Sequence, residues 1–588
     1  VVQYKVLELR CGFDEKRDGY INPMLNLIND DLPAVDLQEN KDTYKPVAFC
    51  PTNPYDPKAH ICNVMLTKNG SGDLVMMTEE HEYFEDNTIV EFRYDGSKPA
   101  GWRWIPLRVR YDKTNELRTT FRNFGNAYNV ANSNWHSIHN PITYEMITEG
   151  KNIPELSANE DVYYNRSGKD TSTRGLRDFH NLYVKRKLIL SVSNRGNTLI
   201  DYAVGKAGDL PKWIAANLGF VFGVDVSKDN IENRMDGACA RFLNFKKKYR
   251  SMPGALFVHG NSGQNIRSLK APFSEKDKQI TNAVFGQGPK DKGELGEGVY
   301  KRYGIGEAGF NVSSCQFALH YFFEGPKSFH SFLRNLSECT KIGGFFIGTC
   351  YDGLTVFNLL KTKKKEESVT IMRDGNKIYE ITKQYDQTGF PEDEMSLGYA
   401  IDVYQESINK VFREYLVNFN YLVRIMENYG FVVLPTGEAT GLGLPNGTGL
   451  FEELFDSMVS DVTRDKRKVA DYGQAGEMSV EEKRISYMNR YFVFRKTRNV
   501  NAEKVGKILM EKGTMVDDTD EKDANEEPVK PKLEELLKPT KAKKIKGPKV
   551  VLGEDEKETE ESVQPPSSNL EFGKEVRIKI KKPKSPPK

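Results

Sequence analysis

The chain has 588 residues, 38% of them hydrophobic and 11% aromatic, which is more than one ordinary core requires and predicts two to four domains. Its 85 basic and 83 acidic residues leave a net charge of +2, so overall charge points to no polyanionic partner and only a local patch would attract phosphate. No run of about 18 apolar residues occurs, and the start lacks a charged-then-apolar pattern, so neither a membrane-spanning helix nor a signal peptide is expected.

Residues 1–120 hold short β-rich runs such as Val1 to Leu9, Ile61 to Leu66 and Thr88 to Tyr94, separated by Gly, Pro, Asn and Asp; these predict a small β-barrel. Residues 121–174 read as a connector. From 175 to 498, helix-length amphipathic segments alternate with apolar strands at Leu199 to Val204, Phe220 to Val226, Gly254 to Val258, Phe310 to Ser314, Gly344 to Thr349, Phe431 to Leu434 and Tyr491 to Lys496. Such alternation predicts a parallel-rich, doubly wound α/β sheet. Phe273 to Tyr303, rich in Gly and Lys, is expected to leave that sheet as an excursion. Residues 499–588 fade into Lys, Glu, Pro and Ser and are expected to be a disordered tail. A first residue of Val is expected of a fragment of something longer. Seven cysteines without a CxxC pair read as reduced thiols in an intracellular compartment, and the expected location is the cytoplasm. His60 beside Cys62 lacks a second ligand pair, so no metal is expected.

The central motif runs from Leu199 through Asp201, Ala203, Gly205 and Asp209 to Leu210, and the next strand ends at Asp225. A Gly-containing turn between strand and helix lets backbone approach a ligand, and an acid ending the following strand accepts hydrogen bonds from both hydroxyls of a ribose. A dinucleotide site has G-x-G-x-x-G around a pyrophosphate. Here the turn reads G-x-x-G followed by Asp209, whose carboxylate would repel a pyrophosphate. S-adenosylmethionine has no phosphate and tolerates that acid.

With its flanks, the region from Arg177 to Lys496 resembles the mRNA cap guanine-N7 methyltransferase family. Asp178-Phe179-His180-Asn181-Leu182-Tyr183-Val184-Lys185 is similar to the family's F-N-N-x-x-K helix, which implies that Lys185 meets the methionine carboxylate of the cofactor and Asn181 approaches the cap. The loop is similar to D-L-G-C-G-K-G-G-D, with Ala203 and Ala207 in place of two glycines. Phe310 to Tyr321 resembles F-D-x-x-x-x-Q-F-x-x-H-Y, implying that Gln316 borders the cofactor while His320 and Tyr321 hold the guanine. Gly343 to Thr349 resembles G-G-x-F-I-G-T, and Glu414-Tyr415-Leu416-Val417 resembles E-Y-L-V, whose glutamate receives protons from the guanine edge. Taken alone, Glu414 also reads as a solvated helical carboxylate. Where the family often has an aspartate beside the adenine amino group, this chain has Asn261, which accepts a hydrogen bond without charge.

The resemblance implies a Rossmann-like, S-adenosylmethionine-dependent methyltransferase domain behind an OB-fold-like barrel. Its assigned cofactor residues are Lys185, Asp201, Ala203, Gly205, Asp209, Asp225, Asn261 and Gln316. Those assigned to the cap are Asn181, Lys206, His320, Tyr321 and Glu414, with Lys206 toward the triphosphate. No acid/base side chain is expected to be catalytic, because guanine N7 is already nucleophilic and the sulfonium already activated. In the first region, Arg110-Tyr111-Asp112-Lys113 resembles the R-x-D-K motif on the OB-fold domain of mRNA guanylyltransferases, implying a vestigial GTP-phosphate site at Arg110, Asp112 and Lys113. Lys16-Arg17-Asp18-Gly19 matches K-x-D-G but lies too close along the chain to Arg110 to flank a transferase domain; it reads as a turn, and no guanylyltransferase activity is expected. Expected partners are capped RNA and a stimulatory capping subunit or further N-terminal capping domains, with no membrane. The resemblance implies the C-terminal part of a fused capping enzyme of large-DNA-virus type. The stretch from Gly125 to Ile142 reads as RNA contact or interdomain packing, and Lys541 to Lys546 as added RNA affinity or a solvated spacer. Two further readings stay open: a methyltransferase on another RNA substrate, and an inactive cap-binding scaffold.

Overall fold

A computed structural model describes residues 3–33, 44–52, 54–149, 172–514 and 576–580. The chain divides into two compact units, one formed by residues 1–21, 38–156 and 542–588 and the other by residues 22–37 and 157–541.

The first unit is built on β1 (Tyr4–Phe13), β2 (Lys45–Ala48), β3 (Ile61–Lys68), β4 (Leu74–Met77), β5 (Tyr83–Phe84), β6 (Ile89–Tyr94) and β7 (Trp104–Val109). Backbone N–H groups of Glu79 and Glu80, in the β4–β5 turn, donate to Pro106 and Leu107 of β7 at 2.9 and 3.0 Å, bringing the sheet's two ends together. Inward residues Leu7, Leu9, Cys11, Phe49, Cys62, Phe92 and Trp104 form the core with Tyr128, Ala131 and Trp135. The last three lie on the helix Tyr128–His139, so the expected connector differs from what forms. Part of it is core of the first unit, because an aromatic face at helical spacing is buried there rather than spent on RNA. Lys16 to Gly19, expected as a turn, is one helical turn capped by Asp14 and stopped by Gly19 at φ 68°.

The second unit's main sheet contains β8 (Thr198–Asp201), β9 (Phe220–Asp225), β10 (Gly254–His259), β11 (Phe310–Gln316) and β12 (Thr340–Tyr351), all parallel. A second sheet holds β13 (Ser368–Arg373), β14 (Asn376–Lys383), β15 (Ala400–Gln405) and β16 (Lys410–Tyr415) in antiparallel order. The main sheet is finished by β17 (Phe431–Val433), β18 (Thr448–Leu450) and β19 (Asn489–Lys496), and its order is β10-β9-β8-β11-β12-β19-β17. All six residues of β9 are buried, which is why parallel strands covered on both faces read as apolar runs. The helix Pro326–Cys339 starts on a proline and buries Phe329, Phe332, Leu333 and Leu336 at helical spacing.

Two expectations are refined here. The stretch 273–303 contributes no strand to the sheet, yet it is not a loose excursion. It forms the helices Glu275–Val284, Lys292–Leu295 and Glu297–Tyr300, with Ile280, Val284, Leu295 and Val299 in the main core. Its glycines punctuate short helices rather than loosen the chain. Nor does structure cease at 499: the helix Ala502–Thr514 has Ala502 buried and an ion pair of 3.0 Å between Glu503 and Arg334. One further strand, β20 (Val576–Ile580), pairs in the first unit, in parallel, with β1 on one side and β6 on the other. Lys541 to Lys546 lie outside the described residues.

Candidate cofactor and base site

The strand order reverses between β8 and β11, whose C-terminal ends therefore open a crevice, the usual ligand position in a doubly wound sheet. Asp201 ends β8 and Gln316 ends β11. After Asp201 the backbone turns tightly, with Gly205 at φ 53° and Ala207 at φ 52°. The first suits glycine, whereas the second holds an alanine in the left-handed region, where a Cβ costs about 1–2 kcal/mol. The turn is closed by the Gly205 N–H donating to Asp225 Oδ2 at 2.7 Å. The other Asp225 oxygen accepts from Ser227 N–H and the Asn230 amide, both at 3.0 Å. These bonds fix the carboxylate and leave a lone pair on Oδ2.

Charges in this loop are unequally matched. Burial pushes Asp209 up, but Lys185 at 3.6 Å and Lys212 at 2.8 Å hold it down at about 2. Asp201, 2% exposed, accepts only a long 3.3 Å bond from Ala203 N–H among the hydrogen bonds in this loop. Burial and the nearby Asp209 charge raise it to about 8. A buried acid in that state fits a ligand that brings a positive charge, as the ammonium and sulfonium of S-adenosylmethionine do. Lys185 follows the π-helical turn Phe179–Val184, a wide turn common at functional sites, and its ammonium lies 5.5 Å from the Phe317 ring centre. The structure thus brings Lys185, Asp201, Ala203, Gly205, Asp209 and Asp225 into one loop cluster. Gln316 borders it and accepts from Thr349 Oγ1 at 3.2 Å. Asn261 spends its amide oxygen on Gly263 N–H at 2.8 Å, an acceptor with one lone pair left for another donor.

A second cluster lies on residues 319–324, β12 and β14–β16. His320, 3% exposed, is lowered to about 3 by burial and is neutral. Glu414, 6% exposed, is raised by burial to about 8. Their 3.6 Å approach is therefore a contact of neutral groups rather than an ion pair. Both His320 ring nitrogens and Glu414 Oε2 lack a hydrogen-bond partner among the described residues. Tyr321 packs edge-on to His320 at 4.3 Å. Glu414 is not the solvated helical carboxylate that its isolated sequence also suggested: it sits on a strand, in register with Ile401. Asn181 donates to Arg177 O at 3.0 Å, half exposed.

Lys206 differs from expectation. Its ammonium is 2.9 Å from Asp229 and 2.8 Å from Asp236, so two carboxylates already match its charge. The sequence reading also missed three residues here. Tyr351 stacks 6.4 Å from His320 and accepts from the Gln405 amide at 2.8 Å, and the buried Tyr379 packs against it with ring centres 6.4 Å apart. Tyr351 stands two places after the Gly343 to Thr349 strand, a signal within reach; Tyr379 and Gln405 sit on strands that showed no clean alternation. In the first unit Arg110 pairs with Asp112 at 3.0 Å and Lys113 with Glu116 at 3.2 Å. Among the described residues no group of three His, Cys, Asp or Glu is placed to hold a metal ion, and no helix is long and apolar enough to cross a membrane.

Five parallel strands with an antiparallel β19 inserted before β17, and a loop presenting Asp201, Gly205 and Asp225 at the point of reversal, define an S-adenosylmethionine-dependent methyltransferase fold. The model of the mRNA (guanine-N(7))-methyltransferase domain matches residues 162–497, more than half of the chain, and the chain belongs to that family. It is 29% identical to a probable mRNA-capping enzyme of Acanthamoeba polyphaga mimivirus over 74% of its length, covering 38% of that protein. It is 27% identical to the mRNA cap guanine-N(7) methyltransferase of Candida glabrata, covering 61% of this chain and 76% of the other. The mRNA-capping enzyme of African swine fever virus is 22% identical over 59% of the chain, which spans 35% of it. Among solved structures, an S-adenosylmethionine-dependent methyltransferase of Listeria monocytogenes covers 55% of this chain and 99% of its own at 13% identity and TM-score 0.29. At that score the likeness adds nothing to the strand order itself.

Proposed function

We propose that the second unit methylates N7 of the guanosine capping the 5′ end of messenger RNA. Bound S-adenosylmethionine supplies the methyl group as an activated sulfonium. The observation that carries the reading is Glu414: a buried carboxyl group with an unpartnered oxygen, beside a neutral His320 and the Tyr321 ring. Guanine offers two N–H donors on one edge, which a carboxylate accepts together, and its π face suits the aromatic walls. Asp201 and Asp225 face the cofactor's positive charge and ribose, while Lys185 faces its carboxylate. The chain then acts by orientation, holding donor and acceptor in line and excluding water, an effect worth about 7–11 kcal/mol. Because methylated guanine is cationic, the Glu414 carboxylate stabilises charge as it develops. Ala203 and Ala207 do not argue for an inactive scaffold, since the loop closes on Asp225 around them.

The first unit supports a narrower reading as an OB-fold domain of the mRNA guanylyltransferase type, with Arg110, Asp112 and Lys113 at the start of the helix Tyr111–Thr120 as a phosphate-facing remnant. Capped RNA is the partner that the second unit's base pocket fits.

Methyl transfer to GpppG-ended RNA by Glu414→Ala and Tyr321→Ala tests the reading. Activity is expected to fall by about two orders of magnitude, the usual loss for a charge-stabilising group, while calorimetry finds cofactor affinity within a few-fold of wild type. Wild-type rates in both variants overturn the cap assignment.

A further inference from the structure

Strand β20 occupies a place in the first unit that no neighbouring strand fills. Leu9 and Arg10 of β1 are in register with Val576 and Arg577, and Ile89 to Phe92 of β6 with Arg577 to Ile580, parallel on both sides. The opposite edge of β1 is taken by β3 and β2, and that of β6 by β7. With β20 removed, β1 and β6 would face each other across roughly two strand spacings, about 9.6 Å, too far for a ladder, and each would present an open edge. The flanking residues are core: Leu9, Ile89 and Val90 are 0% exposed. In a tail dominated by Lys, Glu, Pro and Ser, Val576, Ile578 and Ile580 alternate with Arg577 and Lys579 between Gly573 and Pro583, a strand pattern with its own punctuation. Parallel neighbours need a connection of about a dozen residues or more, and the chain from Thr514 to Val576 exceeds that several times over.

We propose that Val576–Ile580 is a donor strand, that the slot between β1 and β6 is its receptor, and that the chain's own C-terminal segment occupies it in cis. The segment acts as a clasp that completes the first unit's sheet from the far side of the methyltransferase domain in sequence. Recognition is by main-chain hydrogen bonds on two edges at once, the mode of strand addition, so it tolerates side-chain changes that keep the alternation and fails where an N–H is lost.

Two measurements on the full chain test this. In Arg10→Cys/Arg577→Cys, a pair in register, mild oxidation is expected to join the two cysteines within one chain, with neither single variant giving the product. In Ile578→Pro, which removes a ladder donor, amides of residues 89–92 are expected to exchange at least about tenfold faster, whereas Ile578→Val leaves them protected. Absence of the disulfide, a disulfide formed only between two chains, or unchanged exchange in Ile578→Pro each overturns the cis clasp; the second outcome would assign the strand to another copy.

Discussion

At Ala207 the family's loop has glycine, and the reason is visible in the backbone: φ is 52° and the side chain is wholly buried. The left-handed cost of about 1–2 kcal/mol is offset by the chain entropy a glycine would lose and by one buried methyl of about 0.8 kcal/mol. Ala207→Gly is therefore expected to stay within about 1 kcal/mol of wild type in denaturant unfolding. Ala207→Val puts a β-branched residue at positive φ in a packed site and should cost at least about 2 kcal/mol and most of the cofactor affinity. Glu414 sets a pH dependence. Its folded value of about 8 lies above the ordinary 4.5, so its contribution to stability is full below the ordinary value and is lost as pH rises through about 8. A guanine edge needs the carboxylate, so cap affinity should run the other way, rising about tenfold per pH unit up to about 8 and then levelling. Titrating a cap analogue from pH 6 to 9 checks this, with the slope absent in Glu414→Gln.

At the scale of elements, the four-stranded sheet β13–β16 carries Glu414, Tyr379 and Gln405 but none of the loop from Asp201 to Asp209. Ile381, wholly buried and in register with Val403, holds its middle. Ile381→Ala should cost about 2–5 kcal/mol locally and raise KM for capped RNA more than tenfold, with cofactor affinity changed less than twofold; an equal loss of both would tie the sheet to the cofactor. This sheet was also the least legible in sequence. The strands from Leu199 to Thr349 announced themselves as apolar runs because both their faces are covered. In β14, by contrast, Ile378 and Tyr379 are both buried although adjacent, and Lys383 is buried too, so neither alternation nor an apolar run survives. The helices between 275 and 300 were hidden differently, by glycines that end each turn. Residue types at the site were legible through motif spacing, and Tyr351 was within reach of it, whereas the wall supplied by Tyr379 depended on tertiary packing that no local pattern encodes.

For the molecule as a whole, the first unit is expected to carry no nucleotidyl transfer of its own. Lys16, exposed on a one-turn helix, lacks the enclosed surroundings that make a lysine nucleophilic. Incubation with labelled GTP is expected to leave the chain without covalent GMP; a label lost in Lys16→Ala would reverse that. The helix Ala502–Thr514 shows how the chain leaves the second unit: Gly506 approaches Tyr429 so closely that a Cβ there would lie 3.0 Å from the phenol oxygen. From there the chain returns to the first unit at β20, so residues 157–541 of the second unit are inserted between β7 and β20 of one sheet. That topology imposes an order of events during synthesis. Some 480 residues separate β6 from β20, about 25–100 s at a ribosome adding 5–20 residues per second. Throughout that interval, while most of the second unit emerges, the nascent first unit lacks the strand that lies between β1 and β6 and keeps both of those edges open.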